Sequence, residues 1–208
     1  MNILKPQKIL LSNLVEISDI NDEELIENAK IENCVHENIE IYKAELEKVL
    51  FNNVTLINCK LDGTSFMDVS FKNCNFSNSS FESCSFVRCE FYDCKFTGAN
   101  FSESKLYNVG IIESNFNYTN FSLATIDSVL FENSGLISSS FQENKLKNIY
   151  FKNSDLTKIQ FNKTSLKNID LSDSNISGIS VPLEDIKGAI IDEFQAVDLL
   201  YLLGVKLK

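Results

Sequence analysis

The chain has 208 residues, 44% of them hydrophobic and 23% charged, enough apolar material for one large domain. A formal net charge of -10 argues against a nucleic-acid binder that relies on a basic surface, and 7 glycines and 2 prolines argue against long flexible linkers. The opening residues MNILKPQKILLSNLVEISD carry no sustained apolar core and no small-residue cleavage site, so no signal peptide is read there, and no stretch reads as a membrane span.

In chain order, residues 1–25 read as an N-terminal cap and 26–45 as an irregular first coil. The acidic stretch 19–30 has the composition of a short helix. Ile26, Ile31 and Ile41 keep a five-residue register, but His36 stands where an apolar residue belongs. His36 is the only histidine, so no Ser–His–Asp arrangement and no histidine-based metal cluster can be assembled, and a role in the cap is expected.

From Ile41 to Val181 every fifth residue is Phe, Leu, Ile or Val, and all of the 16 phenylalanines except Phe194 fall on this series. Two residues before each centre lies a small or β-branched residue, with Asn144 the clear misfit. Two residues after it Asn, Asp or Gly recur, as at Asn53, Asn58, Gly63 and Asp68. Those types accept tight turns. A period of five fits neither a helix nor a flat strand. It fits a chain that turns a corner every repeat, four repeats to a square coil, with coils stacked about 4.8 Å apart through backbone hydrogen bonds.

The segments "CNFSN", "CSFVR", "CEFYD", "CKFTG" and "ANFSE" closely resemble the repeat of the pentapeptide-repeat proteins, a small residue, a polar residue, Leu or Phe, then two variable residues. The resemblance covers residues 39–181 without a register break. It implies an all-β fold, a right-handed quadrilateral β-helix over residues 26–181, closed by a C-terminal capping and dimerisation segment, 182–208.

The six cysteines, Cys34, Cys59, Cys74, Cys84, Cys89 and Cys94, all occupy the small inward series. They read as buried space-fillers, with only Cys74 and Cys94 stacked directly, and unpaired thiols favour a reducing cytoplasm. No catalytic residue, metal site or cofactor site is read anywhere, and the unbroken register shows no inserted loop or cleft. Function is therefore expected on the surface. The wall centred on Phe91 displays acid and aromatic groups, and Glu90, Tyr92, Asp93, Ile112, Glu113, Leu130, Glu132 and Tyr150 form the expected partner-binding wall. The neighbouring wall centred on Phe86 is net positive through Arg88, Lys105, Lys145, Lys147 and Lys167.

In the tail, Pro182 ends the repeats. Asp192 is placed to cap a helix with Gln195 as its capping-box partner, and Gly204 to stop it. The helix is apolar on more than one face, so one face covers the last coil and the other predicts a two-fold homodimer through Phe194, Val197, Leu200, Tyr201 and Leu203. This tail resembles the C-terminus of the Qnr quinolone-resistance group, where a Gly, an acidic turn, a Gln-Ala pair and an "LLG" stop form a dimerising helix. That resemblance implies a non-enzymatic, DNA-mimicking protein that binds a type II topoisomerase, DNA gyrase or topoisomerase IV. A protein-interaction scaffold without that target is the other reading. Neither involves direct nucleic-acid or membrane binding.

Overall fold

The computed structural model describes residues 3–7, 13–14 and 20–205. The chain winds as a parallel β-solenoid in which each residue of a strand faces the residue 20 positions on. Phe66 pairs with Phe86, Phe86 with Leu106, Phe91 with Ile111 and Phe131 with Phe151. Four repeats therefore make one coil, as the period requires.

Two of the four walls are continuous sheet. The strands Ser85–Tyr92, Lys105–Ile112, Thr125–Glu132 and Lys145–Lys152 each run through two adjacent repeats. The other two walls pair through single bridges such as Asn75↔Lys95 and Asn100↔Asn120. Between repeats the chain turns in the left-handed region two residues after each centre. Asn53 has φ 54°, and the same backbone is held where the residue is Arg88, Tyr118 or Leu123 (φ 51°, 60° and 64°). Its N–H is what fixes the corner: Leu123 N–H, for instance, donates to Gln142 O of the next coil at 2.8 Å.

The interior is a ladder of rings. Phe66 and Phe86 stack at 4.7 Å with planes 3° apart, and Phe71 and Phe91 at 4.6 Å with planes 11° apart. These spacings match the separation of hydrogen-bonded strands, so each ring lands on the one below it. Across a corner the rings meet edge on, as Phe71 and Phe76 do at 5.8 Å and 84°. All five of these phenylalanines are fully buried, each worth about 1.5–3 kcal/mol of transfer free energy.

The small inward series has a second task besides filling space. Several of its hydroxyls and thiols donate back to the carbonyl of a centre residue one coil below. Ser79 Oγ donates to Leu56 O at 2.9 Å, Thr119 Oγ1 to Phe96 O at 3.0 Å, and Cys84 Sγ to Leu61 O at 3.0 Å. Ser, Thr and Cys thus answer a carbonyl that Ala leaves to find another partner.

The ends depart from the simple pattern. The acidic stretch, described from residue 20 on, is not helical there: Leu25–Glu27 and Ala29–Glu32 are strands that pair with Glu45–Glu47 and Leu50–Asn52. Burial of Ile26 and Ile31 in the five-residue register outweighs the helical composition. His36 is half-buried in the strand Val35–Glu37, opposite Leu56. Before them Asn13 pairs with Ala29 rather than with Asn33, so the first coil is tighter than the rest. Pairing also continues past Val181: Leu171 N–H donates to Ile190 O at 2.8 Å, and Ile190 N–H to Ile169 O at 2.9 Å.

A short helix, Gln195–Leu199, and a 3₁₀ turn, Leu200–Leu203, close the C-terminal end, and Gly204 stops them with φ 70°. The expected capping box is formed: Asp192 Oδ1 accepts from Gln195 N–H at 2.8 Å, and Gln195 Oε1 accepts from Asp192 N–H at 3.0 Å.

Candidate functional site

The continuous sheet gives the Phe91 wall a rigid backbone, and alternation along its strands sets which residues point out. Tyr92, Asp93, Glu113 and Tyr150 are exposed, whereas Glu90, Ile112, Leu130 and Glu132 are half-buried. Tyr92 shares a hydrogen bond with Glu113, and the carboxylate pushes the phenol above its ordinary pKa, first through that bond and then through its charge. Glu132 is paired with Lys152 at 2.6 Å, so part of the wall's acid is neutralised within the wall.

Two open grooves border these residues. One, of about 550 Å³, runs along the corner beside the wall past Asn53, Asn73, Asp93, Glu113 and Asn133. Asparagines of this column are laced together: Asn73 Nδ2 donates to Asn53 Oδ1 at 2.6 Å and Asn53 Nδ2 to Asn33 Oδ1 at 3.0 Å. The other, of about 510 Å³, lies between Leu130, Tyr150, Lys152, Asp170 and Asp173. Together they present amides, carboxylates and Tyr150 along one side of the solenoid.

Two features of the wall were missed in reading the sequence. Residues 3–7, expected in the N-terminal cap, lie along its flank: Lys5 Nζ reaches Glu90 at 3.6 Å, and Gln7 N–H donates to Asp68 Oδ1 at 3.0 Å. Gly110 also leaves the outward column Glu90, Gly110, Leu130 without a side chain at its middle. A lone glycine beside Ile112 was the only available hint of it.

On the neighbouring positive wall, Arg88 is not a free cation. Its Nε and one terminal nitrogen each donate to Asp68 at 2.7 Å. Desolvation pulls the buried Asp68 carboxyl upward, but the Arg88 hydrogen bonds, the Gln7 N–H and the Arg88 charge outweigh it and hold the pKa below the ordinary carboxylate value. Lys147 is likewise paired with Asp127 at 3.2 Å. This wall carries less free charge than its composition implies.

At the C-terminal end, Leu199 and Leu202 pack against the core. Phe194, Val197, Tyr201 and Leu203 are exposed, Phe194 by 79%. Of the expected dimerisation residues only Leu200 is half-buried.

None of the six cysteines is joined in a disulfide, and all are buried. Burial pushes the Cys84 thiol well up and the Cys89 thiol to about 12, so neither is a nucleophile at neutral pH. Among the described residues no three His, Cys, Asp or Glu side chains come together as a metal site, and no helix is long and apolar enough to cross a membrane.

Residues 64–137 and 84–161 match the family model of the pentapeptide repeat region. The fold is similar to that of QnrB1, a plasmid-mediated fluoroquinolone resistance protein. One trypsin-treated variant superposes with a TM-score of 0.52 at 20% identity, over 94% of this chain and 99% of that one. A second trypsin-treated variant gives 0.49 at 20% identity, over 96% and 98%. HetL, a pentapeptide repeat protein involved in heterocyst differentiation regulation from the cyanobacterium Nostoc sp. strain PCC 7120, gives 0.26 at 12% identity, over 85% and 93%. No curated protein matches the chain. The square coil of four five-residue repeats, its ladder of centre residues and the matched repeat region agree, and the chain carries a pentapeptide repeat region over residues 64–161.

Proposed function

We propose that this chain is a non-enzymatic binding protein that acts through the Phe91 wall, and that the wall's partner is a type II topoisomerase. The observation that carries the reading is one rigid, continuous sheet face with Tyr92 and Tyr150 exposed on it and Asp93 and Glu113 exposed at its corner. Duplex DNA presents one negative charge about every 1.7 Å, so a rod with acid along one side competes for the same basic groove. The fold's similarity to a fluoroquinolone resistance protein supports that choice of partner. The exposed Phe194, Val197, Tyr201 and Leu203 supply an apolar face for a second copy, which would double the length of the wall. Six cysteines without a disulfide suit a reducing compartment such as the cytoplasm.

A second reading, a protein-interaction scaffold without a topoisomerase target, is favoured by one observation. Glu90 and Glu132 are paired with Lys5 and Lys152, which leaves Tyr92, Ile112, Leu130 and Tyr150 as the more prominent chemistry.

A gyrase supercoiling assay, titrating the purified protein with and without a fluoroquinolone, separates the two. Inhibition or rescue at micromolar protein is expected for a topoisomerase partner. No effect at large excess would remove that partner and leave the scaffold.

A further inference from the structure

Gly110 has no conformational reason to be glycine. Its φ is not positive, and a Cβ built there would meet only Glu90 Cγ at 3.8 Å, an ordinary contact. Its effect is steric: it opens a notch in the outward column between Glu90 and Leu130. Residues 3–6 lie over that notch and enclose a space of about 60 Å³ with Cys89, Glu90, Gly110, Ile112 and Leu130.

The arm is extended and runs across the coils. Leu4 N–H donates to Asn108 Oδ1 at 3.5 Å, the Lys5 ammonium faces Glu90, and Gln7 N–H donates to Asp68 Oδ1 at 3.0 Å. Ile3 and Pro6 are half-buried, while Leu4, Lys5 and Gln7 are exposed. Two of the three polar contacts reach the arm's backbone, so they accept any extended chain. Specificity comes from Glu90, which wants a cation, and from Ile112 and Leu130, which want apolar side chains. The hold is weak: the ion pair is exposed and screened, and one hydrogen bond is long.

We propose that the Gly110 notch is a docking site for an extended apolar segment carrying a lysine. Residues 3–7 occupy it within the chain, and a partner protein's segment of the same chemistry displaces them. This rests on reading the Phe91 wall as the partner surface. The arm then tunes affinity, because a partner binds only the fraction of molecules whose notch is open.

The test uses a fluorescein-labelled peptide of residues 1–7 and three full-length proteins: the unaltered chain, the arm-released variant Ile3→Asp with Lys5→Glu, and that variant with Gly110→Leu added. Anisotropy should show the released variant binding at least about tenfold tighter than the unaltered chain, and Gly110→Leu should remove that gain. Equal binding to the first two proteins, or binding that survives Gly110→Leu, overturns the proposal. Amide exchange gives a second reading on the single change Gly110→Leu: the Gln7 amide should exchange at least about tenfold faster once the notch is filled. An unchanged rate overturns docking of the arm at the notch. A null gyrase result bears on the topoisomerase alone and leaves both measurements decisive here.

Discussion

Arg88 grips Asp68 one coil below it with two hydrogen bonds of 2.7 Å, and the carboxylate it holds is fully buried. Asp68 also takes up one of the left-handed corners, with φ 55°. Removing the guanidinium leaves a buried charge with only the Gln7 N–H and the Lys48 charge to answer it. Arg88→Ala should destabilise the solenoid by about 2–4 kcal/mol at pH 7. The folded carboxyl titrates below its unfolded value, so this contribution is complete above about pH 4 and fades as the pH falls through the folded pKa. Urea midpoints of the unaltered chain and the variant should therefore converge below pH 4. A gap that does not narrow as the pH falls below 4 would mean that the loss is one of packing and not of charge.

Gln195 seals the last coil. Its side chain is buried, and Nε2 donates to Leu171 O at 2.8 Å and Ser174 O at 2.6 Å, two carbonyls that no backbone N–H of the segment above them reaches. Gln195→Ala should cost about 2–3 kcal/mol. Gln195→Glu should cost more, because an acceptor would then face two acceptors. Exchange of the Leu171 amide, which donates to Ile190 O, should accelerate with the loss of the cap while amides near Phe91 hold their protection.

Asn144 is an imperfect member of the small series. Its Nδ2 donates to Phe121 O at 2.7 Å, but its Oδ1 is buried without a partner. One coil above, Thr164 Oγ1 donates to Phe141 O at 2.7 Å, the same bond made by a smaller group. Asn144→Thr should keep the bond and delete the orphan acceptor, raising stability by about 1 kcal/mol in thermal or urea melts. A loss of that size would show that Asn144 Oδ1 is satisfied in solution.

Leu123 holds a φ of 64° with its side chain exposed. Left-handed backbone costs most residues about 1–2 kcal/mol, and Asn tolerates it best after Gly. Leu123→Asn should stabilise the protein by about 0.5–1 kcal/mol through the corner alone. No change in midpoint would mean that Leu123 makes compensating contacts in the folded state.

These positions also show what the sequence could and could not disclose. Phe86 and Phe91 were legible because burial repeats at a fixed period, and any lapse would put a ring into water. The corners at Asn53 and Asn73 were legible for the same reason of chemistry, but Arg88, Tyr118 and Leu123 adopt the same backbone without the residue type that advertises it. The Asp192–Gln195 capping box stood out by its spacing. That the Gln195 amide also closes the Leu171 coil did not, because the two are joined only by the winding of the chain. The stretch 19–30 misled because acidic composition spoke for a helix while Ile26 and Ile31 kept the solenoid register. The arm was hidden most completely: Leu4 and Asn108 lie 104 residues apart, and no periodicity links them.

The claim that the Phe91 wall is the partner surface turns on Glu90 and Glu113, which flank Tyr92. The decisive measurement is gyrase supercoiling in the presence of a fluoroquinolone, comparing the unaltered protein with the double variant Glu90→Lys, Glu113→Lys. Circular dichroism and melting should first show that the variant keeps the solenoid, since neither side chain enters the core. Protection by the unaltered protein and its loss, by at least about tenfold in the concentration required, in the folded variant is the expected result. Equal protection by both would contradict the assignment of the wall as the partner surface.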